Sequence, residues 1–256
     1  MKRQLIVAGN WKMFKSLPEA IGLARRIKLK FASEKGVEIV LCPPFPYLVP
    51  LSELLRGTPI KLGAQNMHYE DEGAFTGEVS AKMLLTSQVN FVIIGHSERR
   101  TYFGETDEIV NLKVKKAIEA GLVPIMCIGE TLEERQQERT LEVLERQLNV
   151  GLAGVNLKTG QEIVIAYEPV WAIGTGVNAT PLEAQESHAF IRSWLKKRYG
   201  EGVSSALRIQ YGGSLKPENA RAIFEMEDVD GGLVGGASLD ADAFGAIIIK
   251  AKEAKC

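Results

Sequence analysis

The chain carries almost no net charge. It has 31 basic and 32 acidic residues among 256, a balance of −1. Nothing in that balance supports a general nucleic-acid or membrane-surface binder, so any recognition of an anion has to be local. Cysteine is scarce as well. Cys42, Cys127 and Cys256 share no CxxC spacing, which argues against a zinc site or a disulfide framework. Cys42 and Cys127 lie in apolar runs and read as small buried hydrophobes. No apolar run approaches the ~18 residues of a membrane span. The N-terminal MKRQLIVAGNW has too short an apolar stretch for a signal peptide. A cytoplasmic location is the default expectation. No composition shift, linker, low-complexity segment or short-period repeat divides the chain, and one domain over 1–256 is expected.

What the chain does have is a rhythm. Short apolar runs alternate with longer amphipathic stretches. The strand candidates are Leu5–Ala8, Val37–Cys42, Lys61–Ala64, Phe91–Ile94, Val123–Ile128, Ile163–Tyr167, Leu207–Tyr211 and Gly232–Val234. Most are continuously apolar, as strands covered on both faces should be. Helical spacing marks Glu19–Ser33, Glu108–Ala120, Leu132–Leu148, Leu182–Tyr199, Pro217–Met226 and Ala241–Lys252, with shorter helices after Pro46 and Ser80. Thr180-Pro181 and Lys216-Pro217 read as helix starts, Gly121 and Gly200 as stops. Regular alternation requires crossovers and a parallel sheet. About eight units in ~250 residues match a closed (β/α)8 barrel. A doubly wound open sheet would usually place a glycine-rich turn after its first strand, where this chain reads GNWKM.

In such a barrel the active site lies at the C-terminal ends of the strands. Polar residues at those points are Asn10 and Lys12, His96 and Glu98, then Glu168, then Gly212, Gly213 and Ser214, then Gly235 and Gly236. Glu168 opens YEPVWAIGTG, a carboxylate followed by an apolar loop tip and two glycines. It reads either as a base under a closing lid or as a salt-bridged residue under a permanently packed Trp171. YGGS and VGGAS end the last two strands. Their backbone amides could converge on a phosphate, or the glycines could serve left-handed turns. Lys12 is a surface group, a Schiff-base nucleophile or a cation facing an anionic substrate. His96 precedes Ser97, a candidate N-cap. A helix start there would disfavour the imidazolium and lower the affinity of the ring for a proton. Glu98 could pair with Lys12 or support the site. His188 reads as structural or surface, and His68 has no evident partner. The loop Gln65–Ser80 is long against the usual ~2–6 residues, which points to function.

The motifs AGNWKM, GAFTGEVS, IIGHSERR, YEPVWAIGTG, YGGS and LVGGASL occur in the order found in triosephosphate isomerases, and the chain resembles that family from near its N-terminus almost to its C-terminus. The resemblance implies a TIM barrel and interconversion of dihydroxyacetone phosphate and D-glyceraldehyde 3-phosphate, a step of glycolysis and gluconeogenesis. It implies Glu168 as base, His96 exchanging protons with the substrate oxygens, and Lys12 and Asn10 stabilising an enediolate. It implies Gly174, Ser214, Gly235 and Gly236 at the phosphate, with Glu98 and Leu233 in support. No metal or cofactor is expected. The same resemblance implies a homodimer through Gln65–Ser80, with Thr76 reaching toward the partner's Asn10 and Lys12. Phe14 and Val177 depart from residues common in the family. Two alternatives stay open here: another phosphate-binding barrel such as a Schiff-base aldolase, and a non-catalytic phosphometabolite binder.

Overall fold

Among the described residues, eight parallel strands pair in sequence order and β8 pairs back to β1, so the sheet closes. The structure is a computed structural model and describes residues 3–173 and 179–254. The strands are β1 (Leu5–Asn10), β2 (Val37–Cys42), β3 (Lys61–Ala64), β4 (Phe91–Ile94), β5 (Val123–Ile128), β6 (Val164–Tyr167), β7 (Arg208–Tyr211) and β8 (Gly231–Val234). The helices α1 (Leu17–Phe31), α2 (Leu48–Leu55), α3 (Ala81–Thr86), α4 (Ser97–Phe103), α5 (Asp107–Ala120) and α6 (Leu132–Gln136) lie between successive strands. So do α7 (Thr140–Gly151), α8 (Pro181–Tyr199), α9 (Glu201–Ala206) and α10 (Pro217–Phe224), while α11 (Ala241–Ala254) follows β8. The fold is the (β/α)8 barrel that the alternation predicts.

Continuous apolar strands follow from two cores. Ile6, Ala8, Val40, Cys42, Phe91 and Ile93 point into the barrel with residues of β5, β6 and β8. Their neighbours Leu5, Val7, Ile39, Leu41, Val92 and Ile94 point outward under the helices. Side chains alternate along a strand, and here both faces are dry. Cys42 and Cys127 are both buried, and burial pushes their thiols well up from the usual range.

Two helical expectations need correction. The stretch Leu132–Leu148 is not one helix. It breaks between Gln136 and Thr140, where Glu138 takes a left-handed backbone (φ 57°). A helix cannot continue through such a residue. Gly200 does stop α8, but a short further helix, α9, starts at once.

A buried ion pair ties three segments together. Lys113 of α5 meets Glu105, both about 5% exposed. The Lys113 ammonium also donates to Asn66 Oδ1 at 2.8 Å. Glu105 accepts the Gly95 N–H at 3.2 Å. The pair thus joins the long loop after β3 to the end of β4, one residue before His96.

Candidate active site

Closure of the barrel brings the polar strand ends together. Asn10, Lys12, His96, Glu168, Ser214, Leu233, Gly235 and Gly236 all line one cavity of about 220 Å³. Ile173, Leu215 and Lys216 line it too, and the sequence alone did not single them out for the site. Gly174 and Val177 lie outside the described residues. A wider groove of about 400 Å³ runs between α7 and α8 on the outer wall, away from the strand ends.

Glu168 sits just past β6 with 2% exposure. Its two oxygens have separate partners. One lies 3.0 Å from His96 Nε2, and the other accepts the Ser97 N–H at 2.9 Å. Burial alone would raise the affinity of this carboxyl for a proton. The nearby His96 ring, its hydrogen bond, the Ser97 amide and Lys12 outweigh burial, and the pKa is lowered.

His96, not Ser97, caps α4. Its Nδ1 accepts the Glu98 N–H at 3.2 Å. An accepting Nδ1 carries no proton, so the neutral ring holds its hydrogen on Nε2, where it donates to Glu168. Ser97 is instead the first helical residue, and its amide serves Glu168. Burial pulls the His96 pKa down, but the Glu168 carboxylate, by charge and hydrogen bond, pulls it up further, and the net direction is up. The expected depression of His96 is therefore absent in this arrangement, because the charge of Glu168 touches the ring. Removing that charge as Glu168→Gln is expected to shift the His96 titration to lower pH. Nitrogen NMR of the labelled ring reads this directly; an unchanged or raised midpoint would contradict it.

Lys12 follows β1 in a left-handed conformation (φ 51°), uncommon for a residue with a side chain. Its N–H donates to Asn10 Oδ1 at 3.0 Å. Gln65 Nε2 donates to the Lys12 carbonyl at 2.8 Å and to that of Cys42 at 2.9 Å. The ammonium lies 2.5 Å from Glu98 Oε1, the pairing foreseen as one of two options.

The glycines after β7 and β8 are not left-handed turns: none of Gly212, Gly213, Gly235 and Gly236 has a positive φ. Gly212 and Gly213 are places of close approach, whereas Gly236 has open space beside it. A Cβ on Gly212 would come within 2.8 Å of Glu168 Cγ, and one on Gly213 within 2.2 Å of the Tyr211 hydroxyl. On Gly235 it would sit 3.4 Å from Lys12 Cε.

A second buried carboxylate lies behind the first, and sequence reasoning missed it. Glu130, fully buried, accepts from Tyr167 Oη at 3.1 Å and from Trp171 Nε1 at 2.7 Å. Burial raises its pKa despite these donors. The Arg135 guanidinium lies 4.4 Å over the Trp171 ring. The start of the apolar loop tip is held down by these contacts. Cys127, read as a small buried hydrophobe, also has Glu168 as an electrostatic neighbour. Of the other histidines, His188 is buried beside Tyr167. His68 finds partners after all, stacking on Tyr69 and packing at a tilt against Phe75 within its loop.

A model of the family described as "Triosephosphate isomerase" matches residues 5–251. The chain belongs to the triosephosphate isomerase family. It is 54% identical to the triosephosphate isomerase of Carboxydothermus hydrogenoformans, over 96% of this chain and 98% of that protein. Identity with the triosephosphate isomerase of Alkaliphilus metalliredigens is 52%, over 96% and 99%. The crystal structure of triosephosphate isomerase from Bartonella henselae is 42% identical and superposes with a TM-score of 0.89, covering 96% of this chain and 98% of that one. As a triosephosphate isomerase family member the chain is an isomerase, and the (β/α)8 fold is that of its relatives.

Proposed function

We propose that the chain interconverts dihydroxyacetone phosphate and D-glyceraldehyde 3-phosphate by carrying a proton between neighbouring carbons through an enediolate. The observation that carries this reading is the convergence of a buried carboxylate, an Nε2–H imidazole and a fixed cation in one cavity. Glu168 takes the proton from carbon and returns it to the next carbon. The His96 Nε2–H donates to the substrate oxygens in turn. Lys12 and Asn10 stabilise the negative charge that grows there. Glu168 must leave His96 and the Ser97 amide to reach carbon. In doing so it loses the contacts that lower its pKa while remaining buried, so its basicity rises where it is needed. Loss of the carboxylate also removes the pull that raises His96. Ser214, Gly235, Gly236 and Gly174 hold the phosphate, Leu233 walls the cavity, and Glu98 holds Lys12. No metal or cofactor takes part. A coupled assay with glyceraldehyde 3-phosphate and purified protein tests the reading; absence of turnover would end it. Lys12 is engaged by Glu98 as a fixed cation would be, which disfavours a Schiff-base aldolase.

The same reading includes one barrel domain, a cytoplasmic location and a homodimer. Residues 70–78 of the long loop are all exposed. Met13, Phe14, Tyr102 and Phe103, in the segments after β1 and β4, expose 93%, 54%, 75% and 69% of their surfaces. Apolar exposure on this scale marks an interaction surface, and a two-fold pair of identical chains is the commonest way to cover one. Deleting the tip, residues 72–77, is expected to yield monomers with poor turnover. Light scattering that shows a monomeric native protein, or a deleted monomer of full activity, would refute the assembly.

A further inference from the structure

The buried face of α7 reads Val143, Leu144, Gln147, Leu148 and Gly151. A glutamine stands where the helical period calls for an apolar residue, and it is 4% exposed. Such a residue is costly to bury unless both ends of its amide are satisfied. Here both are, by one residue: Gln147 Oε1 accepts the Gly129 N–H at 2.8 Å, and Gln147 Nε2 donates to the Gly129 carbonyl at 3.3 Å. The side chain clamps Gly129 as a paired strand would.

Gly129 in turn lies against the backbone of Glu168. The Glu168 N–H donates to the carbonyl of Ile128 at 2.7 Å. An added Cβ on Gly129 would fall 1.8 Å from the Glu168 carbonyl oxygen. The peptide just past β5 therefore touches the residue just past β6, and neither can shift alone. One residue on, the Glu130 carbonyl accepts the Val170 N–H at 3.1 Å, while its carboxylate holds Trp171.

From this geometry we infer that Gln147 is a positioning residue for Glu168, acting through Gly129. The inference rests on the reading of Glu168 as the base. Gln147 does not touch the cavity. It fixes a backbone segment on which both Glu168 and the foot of the apolar loop lean.

Two variants test this. Gln147→Leu removes both hydrogen bonds at similar volume. Misplacement of a reacting group by ~1 Å can cost ~10²-fold in rate, so kcat is expected to fall at least ~10-fold. KM should change little, since three of the four proposed phosphate groups, Ser214, Gly235 and Gly236, follow β7 and β8 and still bind ground state and transition state alike. The His96 titration should move toward lower pH as the carboxylate drifts from the ring. A role in stability alone would lower the melting temperature but leave kcat, measured well below melting, and the His96 signal unchanged. Gln147→Glu supplies a second readout, and decides the matter if the leucine variant does not fold. Its protonated acid offers one donor and one acceptor, as the amide does; its ionised form offers no donor to the Gly129 carbonyl. The ratio of variant to wild-type kcat should therefore rise as pH falls. A flat ratio, or a folded Gln147→Leu with wild-type kcat, would overturn the inference. Wild-type protein assayed alongside separates the two readings. An inactive wild type removes the base assignment and this inference with it. An active wild type with equally active variants removes Gln147 alone.

Discussion

Glu168→Gln is expected to fold, to bind a phosphate-bearing analogue, and to lose about 10²–10⁴ of its turnover, the usual span for a general base. The amide keeps the size of the carboxylate and can still accept the Ser97 N–H, the contact that ties residue 168 to α4. It keeps no basic lone pair for a proton on carbon. The 2% exposure of Glu168 leaves little room for water to substitute as base. The loss should fall on kcat with KM nearly unchanged, the signature of an interaction made in the transition state. Turnover near that of the wild type, in a preparation shown to be free of host enzyme, would remove Glu168 from the mechanism.

The largest expected loss of stability lies elsewhere, at the ion pair of Lys113 and Glu105. Replacing Glu105 by leucine leaves a buried ammonium facing only the Asn66 amide oxygen among the contacts described above, and leaves the Gly95 N–H without its acceptor. Removing one member of a buried pair typically costs about 3–5 kcal/mol. Lys113→Met should cost less, because Arg99 Nε lies 3.6 Å from Glu105 and can move toward it. The double replacement should cost less than the sum of the two, since an apolar pair of similar volume leaves no stranded charge. Urea unfolding at one fixed protein concentration measures all three, the fixed concentration being needed if the protein associates. A Glu105→Leu cost under about 1 kcal/mol would show that the pair is not the brace described.

Much of this architecture was legible in the sequence because it is governed by short-range patterns. Val37–Cys42 and Phe91–Ile94 carry their bounds in their apolar runs, and the residues after each strand fall at one end of the barrel for that reason. Thr180 caps α8 with the capping box and first-turn proline that its sequence advertises. The break at Glu138 was not legible. Gln136, Gln137 and Glu138 all suit a helix, and no residue there demands a left-handed backbone. The cap of α4 was assigned one residue too late because serine is the commoner N-cap, and histidine fills the post here through Nδ1. Glu130, Gln147 and the contact of Lys113 with Asn66 were missed for a different reason. Glu130 and Trp171 are 41 residues apart, and Lys113 and Asn66 are 47 apart. Spacing along the chain says nothing about such meetings until the barrel closes. The titration of His96 was misjudged because the helix start was weighed without the carboxylate that folding brings to 3.0 Å.

The seam between β1 and β8 sets an order for the birth of this protein on the ribosome. β1 emerges first, and one of its two edges waits for a strand that ends at Val234. At ~5–20 residues per second, that wait is on the order of 10–50 s. For all of it, Asn10 and Lys12 hang on a half-paired strand whose inward face, Ile6 and Ala8, has no roof. Gly235, which comes to rest near Lys12, and Gly236 both follow β8, so they are made after all eight strands. A nascent chain stalled before them already contains Glu168 and His96, yet it can be neither a closed barrel nor an isomerase.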